Sequence, residues 1–355
     1  MKTKLKLIAL FTFAFFALAF FTPKGETQTK QVETAGQKFK NIKVLNDMPA
    51  DQMGKVMNQI SASLGVNCAF CHTSNDGDYE KEGKKEKNDA REMMKMTFEI
   101  NKNHFNGRPE INCNSCHQGK NHPQAVFPLV AAKPAEERPK QPEIKPTIED
   151  ILAKYETALG GKDKLVKITS RQIKAQRVEP DGKSEPEEIW QKGGKILANT
   201  TYGNYVISEI FDGTTAWKLG NKEKIELKPD EIEQIKRDAQ IFANTNLNTV
   251  YAKLEFRFLE KLDGKEVYIV QATTADNKRE RLVFDVATGL LMRRSASSQT
   301  ILGNFVYQVD YQDYKDFGGV KLPTTTKFAV PNIYWTRKVL EVKNNVTVDD
   351  KQFMK

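Results

Sequence analysis

Histidine and cysteine are scarce in this chain, four of each in 355 residues, and none of the eight lies beyond His122. A Ser-His-Asp or Cys-His catalytic constellation is therefore excluded from residues 123–355, as is any thiolate or imidazole metal site there. Surplus positive charge is also missing where a nucleic-acid surface would need it. The formal net charge is +9, but residues 1–40 hold +5 of it, residues 41–122 are neutral, residues 123–146 carry +1 and residues 147–355 carry +3. More than half the excess sits at the N-terminus, so no nucleic-acid partner is expected.

Long apolar runs are lacking with one exception. Leu7 to Phe21 is uncharged, follows Lys2, Lys4 and Lys6, and gives way to Pro23 and a polar stretch, the layout of a secretory signal. The run falls short of the about 20 apolar residues a relaxed membrane span needs. Ala17-Leu18-Ala19 offers a small-residue cleavage site inside it, an uncleaved inner-membrane anchor is the alternative, and a lipobox cysteine is absent. Residues 1–22 are thus expected to be a signal peptide or anchor and 23–38 a linker, with the rest of the chain exported to the periplasm. The remaining composition, 39% hydrophobic and 28% charged, is that of a globular protein long enough for two or three domains.

The cysteines form two pairs, each followed at once by histidine: Cys68-Ala69-Phe70-Cys71-His72 and Cys113-Asn114-Ser115-Cys116-His117. Given four histidines in the chain, a histidine behind both pairs by chance is on the order of one in 10⁴, and C-x-x-C-H is the c-type haem attachment pattern. Two thiols one helical turn apart can form thioethers to the haem vinyl groups while the adjacent imidazole reaches the iron. Zinc ribbons keep their pairs roughly 15–20 residues apart, closer than Cys71 is to Cys113. Two disulfides would leave both histidines unexplained, and a thioredoxin-like dithiol calls for one motif in a βαβ setting. Two covalent c-type haems are the expected cofactors.

Methionines gather around the motifs. Residues 49–64, PADQMGKVMNQISASL, read as a helix with Pro49 and Asp51 at its start and Gly65 as its stop. Met53, Val56, Met57, Ile60 and Leu64 form one stripe, which places Met57 about three turns before Cys68. Residues 89–104, DAREMMKMTFEINKNH, repeat the plan, with Met93, Met96, Ile100 and His104 expected on one side. Methionine stripes usually fill core gaps, yet two haems that each need a sixth ligand ask for one methionine per helix.

The run FKNIKVLNDMPADQMGKVMNQISASLGVNCAFCH, AREMMKMTFEINKNHF and INCNSCHQG resembles the cytochrome c subunit of photosynthetic reaction centres over about residues 39–122. The resemblance implies that each helix supplies a methionine to a haem whose attachment motif follows it, with His72 and Met57, and His117 and Met93, as axial iron ligands. Met94 and Met96 are rivals to Met93, and His104 and His122 are possible substitutes for a methionine. That family carries four haems, and only one pair of motifs is present here, so a respiratory or general periplasmic redox partner fits as well as a photosynthetic one. Six-coordinate His/Met iron has no open position for substrate unless a methionine dissociates, which points to an electron carrier and not an enzyme, with one haem as a catalytic centre the remaining alternative.

Six prolines fall in residues 123–146, a semi-rigid spacer and domain boundary. Beyond it, Thr147 to Gly161 reads as a capped helix, and the remainder is mostly strand with turn signals at Asp212-Gly213, Asp263-Gly264, Thr288-Gly289 and Gly318-Gly319, interrupted by a helical stretch KPDEIEQIKRDAQIFANTNL. FDGTTAWKL, LVFDVATGLLMRR and VDYQDYKDFGGVKLPTTTKF resemble the outer-membrane lipoprotein-sorting carriers and related half-barrels. That resemblance implies a concave face for an apolar ligand, with Trp190, Trp217 and Trp335 either lining it or serving as sheet-core aromatics. The expected fold is multidomain: an α-helical dihaem domain at 39–122 and an α+β domain with a large curved antiparallel sheet at 147–355. Its expected function is electron transfer with a docking or apolar-ligand domain attached; the alternative is a lipid- or quinone-binding carrier with the haems as an accessory redox module.

Overall fold

The computed structural model describes residues 32–73, 77–123, 139–225, 227, 229–240 and 247–354. The expected signal or anchor at 1–22, most of the 23–38 linker and the centre of the Pro-rich stretch lie outside the described residues. Among the described residues, no helix is long and apolar enough to cross a membrane.

The N-terminal part is helical: α1 (Ala35–Lys38), α2 (Met53–Leu64), α3 (Lys85–His104) and α4 (Cys113–His117). α2 begins later than the pattern suggested, because Ala50–Gln52 winds as a 3₁₀ turn first. It stops at Gly65, whose φ of 66° is left-handed and whose N–H returns to Ser61 O. Val56, Met94, Leu45 and Met48 form the core of this part.

The C-terminal part opens with α5 (Ile148–Leu159), where the Thr147 side chain accepts from Asp150 N, followed by α6 (Lys162–Leu165). Then come β1 (Ser170–Val178), β2 (Ser184–Lys192), β3 (Lys195–Tyr202), β4 (Tyr205–Phe211), β5 (Ala216–Gly220) and β6 (Glu223–Ile225). The helical interruption is α7 (Pro229–Asp238) and α8 (Leu247–Val250). The second half continues through β7 (Lys253–Leu262), β8 (Lys265–Thr273), β9 (Arg279–Asp285), β10 (Leu291–Thr300), β11 (Gly303–Asp316), β12 (Lys321–Val330) and β13 (Ile333–Asn344). All are antiparallel neighbours in one open sheet of 13 strands, ordered β6-β5-β4-β3-β2-β1-β13-β12-β11-β10-β9-β8-β7. The architecture expected from the turn spacing is therefore present.

Strand alternation sorts residues between the two faces. On one face, α5 and α8 pack Tyr155 and Leu247 against Leu282 and Phe284, and α7 packs Ile235 against Ile189 and Ile196. On the other, Trp190 and Trp217 pack near Leu197, Ile210 and Phe353; Trp335 lies on the helix-covered face, stacked on Phe328 at 4.0 Å between ring centroids. Trp190 and Trp217 thus serve as sheet-core aromatics, the second of the two roles expected, whereas Trp335 shares the face that carries the helices and packs on a cavity-lining phenylalanine.

The two parts touch through the β10–β11 turn. Leu302, 2% exposed, sits in the helical core beside Val56 and Met94. Thr300 Oγ1 donates to Gln59 Oε1 at 2.7 Å, and Gln59 Nε2 donates to Asn304 O at 3.3 Å.

Candidate haem-attachment site

The first motif follows α2 directly. Cys68–Phe70 is a 3₁₀ turn closed by Cys71 N on Cys68 O at 3.3 Å and His72 N on the same oxygen at 2.9 Å, so the thiols lie one turn apart. Cys68 is exposed and Cys71 half-buried. His72 Nδ1 lies 3.2 Å from Tyr79 O, and its ring meets the Tyr79 ring edge-on at 5.0 Å. The loop carrying Tyr79 is held by α3: Lys87 Nζ donates to Tyr79 O at 2.8 Å and to Lys81 O at 2.7 Å, and Arg91 reaches both Glu82 carboxylate oxygens at 3.0 and 2.8 Å. Lys84 Nζ ties the motif itself through Ala69 O.

The second motif is α4. Asn112 caps it by accepting from Asn114 N at 3.0 Å, and Ser115 Oγ accepts from Asn112 N at 3.1 Å. Asn101 on α3 fixes the approach by bonding both polar groups of the Ile111 backbone, at 2.7 and 3.0 Å. His117 Nδ1 lies 2.9 Å from Lys120 O. Cys113 is half-buried and Cys116 exposed.

These contacts set the chemistry of both imidazoles. A carbonyl oxygen can only accept, so Nδ1 carries the proton in each ring and Nε2 keeps its lone pair for a metal. Burial pulls the His72 pKa down, opposed by the Tyr79 carbonyl and helped by Lys87, Arg91 and Lys84, which favours the neutral ring a metal requires. Burial pushes the Cys71 and Cys113 thiols up, keeping them protonated. All four thiols are free, and no cluster of three or more His, Cys, Asp or Glu side chains converges among the described residues. The donor set fits c-type haem attachment, for which Cys68, Cys71 and His72 would hold one group and Cys113, Cys116 and His117 another.

The two attachment segments touch each other. Gly119 N donates to Ser63 O at 2.8 Å, and a Cβ on Gly65 would lie only 2.1 Å from Gly119 O. No periodicity announces this contact between glycines 54 positions apart in the chain.

Met57 is half-buried against the helical core, where half-buried Cys113 also packs. On α3 the expected apolar side is corrected. Lys87, Arg91, Met94, Thr97 and Asn101 face inward, whereas Met93 and Met96 are each 44% exposed. A largely polar inner face satisfied by loop carbonyls and Glu82 hides from a hydrophobicity pattern. Met94 is 8% exposed in the core, so its thioether is occupied by packing; Met93 and Met96 remain accessible. His104 and His122 are exposed.

Comparisons with known proteins agree with the motifs. Residues 15–157 match the family model described as photosynthetic reaction centre cytochrome C subunit, a wider span than the motifs and their helices cover. The photosynthetic reaction center cytochrome c subunit of Roseobacter denitrificans is 32% identical over 105 residues, 27% of this chain and 28% of the relative. The chain thus spans less than a third of that relative's length in the match. Among solved structures, a LolA superfamily protein from Nitrosomonas europaea is 14% identical with a TM-score of 0.40, covering 59% of this chain and 99% of that one. A DUF1329 family protein from Desulfovibrio piger is 13% identical with a TM-score of 0.40, covering 57% and 96%.

Proposed function

We propose that this chain is an exported dihaem c-type cytochrome that carries electrons between redox proteins of the periplasm. The observation that carries the reading is the pair of C-x-x-C-H segments, each with its histidine Nδ1 bonded to a backbone carbonyl. A haem held by histidine and methionine supplies one-electron exchange at a coordination shell with no open position. Cys68, Cys71, Cys113 and Cys116 would attach the two groups, His72 and His117 would each offer Nε2 to the iron, and Met57 and Met93 would supply the thioether ligands. The contact between Gly65 and Gly119 holds the attachment segments side by side, which suits a relay inside one domain.

The C-terminal sheet serves as a docking or ligand-binding domain. A cavity of about 150 Å³ beneath α7 supports ligand binding by the sheet domain but is too small to favour the lipid- or quinone-carrier alternative, with the haems as an accessory module. Retention of residues 1–22 would add an inner-membrane anchor.

Expression in a host with haem-attachment machinery should give an intact mass with two covalent haems and a far-red sulfur-to-iron absorption band. Met57→Ala and Met93→Ala should each remove about half of that band and let the reduced protein bind carbon monoxide, which the parent does not. A mass with one haem would end the dihaem reading. A band untouched by either substitution would end the ligand assignment alone.

A further inference from the structure

A cavity of about 150 Å³ lies between α7 and the helix-covered face of the sheet. Its walls include Ile173, Ile189, Ile196 and Val309, and Arg294 and Gln191 open into it. Both polar side chains are buried, at 4% and 8% exposure, and both are incompletely satisfied. Arg294 Nη2 donates to Gln234 Oε1 at 2.8 Å, but its Nε and Nη1 have no hydrogen-bond acceptor among the described residues. Gln191 Nε2 donates to Asp238 O at 2.6 Å, while its Oε1 accepts from nothing described. Buried polar groups are nearly always paired, and a guanidinium stays charged. Open donors on a buried cation and an open acceptor on the wall of the same cavity are what a ligand with both an anionic and a donor group would satisfy.

The other charged groups around the cavity are engaged with partners inside the protein. Arg337 is paired with Glu187 through two bonds, at 2.5 and 2.7 Å, and Glu209 with Lys218 at 3.0 Å. Glu280 is bonded by Arg237 at 2.8 Å and by the Tyr251 hydroxyl, and Arg294 Nη1 lies 3.6 Å from it, an ion pair beyond hydrogen-bond reach. Asp238, on the cavity wall, bonds Gln234, and burial pushes its carboxyl toward the neutral form. Arg171, also on the wall, is held by Asn344, its Nε donating to Oδ1 at 2.9 Å. Arg294 thus keeps two open donors on the cavity wall.

We propose that this cavity binds a short-chain hydroxycarboxylate, with the carboxylate on Arg294, the hydroxyl donating to Gln191 Oε1 and the carbon chain against the isoleucines. The volume is below the 300–1,000 Å³ of drug-sized pockets, which selects a short chain over an acyl tail. The proposal deepens the ligand-binding reading of the sheet domain and does not depend on the haem assignment.

Titration calorimetry on the full haem-loaded protein tests it with 3-hydroxybutyrate, butyrate, 1,3-butanediol and palmitate. The expected order is 3-hydroxybutyrate first, butyrate several-fold weaker and butanediol without measurable binding. Arg294→Gln should weaken 3-hydroxybutyrate at least tenfold, and Gln191→Met should erase its advantage over butyrate. If Arg294→Gln does not fold, as judged by near-ultraviolet circular dichroism, the Gln191→Met result decides. Equal binding of butanediol, binding of palmitate without the short acids, or no binding of any probe would overturn the proposal. Because the haem band is recorded on the same samples, loss of ligand binding with that band intact separates this failure from failure of the electron-carrier reading.

Discussion

Gly65 is the residue on which the two attachment segments converge. It combines a φ of 66° with a backbone oxygen 2.1 Å from where its Cβ would stand. Gly107, with a φ of 75° and nothing within 4 Å of that position, separates the two effects. Gly107→Ala should cost roughly 1–2 kcal/mol, the left-handed backbone contribution alone. Gly65→Ala should cost more and lower haem content, because the loops must part; equal urea midpoints for the two variants would show that the contact contributes nothing. Glu82 gives a pH signature. Hydrogen bonds from Arg91, then Asn41, hold its carboxyl below the usual carboxylate range. A depressed folded value means the stabilisation is fully present above the unfolded glutamate value of about 4.3 and is lost as pH falls toward the folded one. Between about pH 5 and pH 3 the parent's urea midpoint should therefore fall more steeply than that of Glu82→Gln; parallel profiles would remove Glu82 from the account. The cysteines and histidines were legible in the sequence because attachment chemistry imposes a fixed spacing on them. The roles of Gly65 and Glu82 were not, since both depend on partners supplied by other turns of the fold.

At the scale of elements, the sheet's two edges are managed differently. β6 is only three residues long and carries Glu223 and Lys224, which discourages pairing with another chain. β7 is ten residues long, and Gln141 covers part of it: its Nε2 donates to Leu259 O and its Oε1 accepts from Leu259 N, both at 2.8 Å. The described end of the Pro-rich stretch is thus fastened to the sheet edge. Gln141→Ala would release one N–H and one C=O on an edge strand, and sedimentation should show more self-association at high protein concentration. An unchanged, concentration-independent sedimentation coefficient would mean that the strand's own charges suffice. The strands themselves were readable from alternation and paired turn residues, and α5 from Thr147, its stripe and Gly160-Gly161. The inner face of α3 was not, because Lys87, Arg91 and Asn101 are buried through hydrogen bonds, and a hydrophobic pattern scores such residues as solvent-facing.

For the whole molecule the decisive contact is the β10–β11 turn. Domains joined by a linker and a small polar interface are expected to unfold independently. Here Leu302, at 2% exposure, completes the core formed by Val56 and Met94, and flanking contacts from Gln59 and from Lys55, 6.0 Å from the Phe305 ring centroid, fix its entry. Burying a leucine in a packed core stabilises by about 2–5 kcal/mol as judged by its removal, so the helical part is incomplete without the sheet. Thermal unfolding followed by haem absorbance and by far-ultraviolet circular dichroism should therefore give coincident transitions in the parent. Leu302→Asp removes the apolar side chain and places a carboxylate among Val56, Met57 and Met94, so the haem signal should melt at lower temperature while the sheet signal moves little. Coincident transitions in the variant, or two well-separated transitions in the parent, would show that the turn rests on the haem domain without stabilising it.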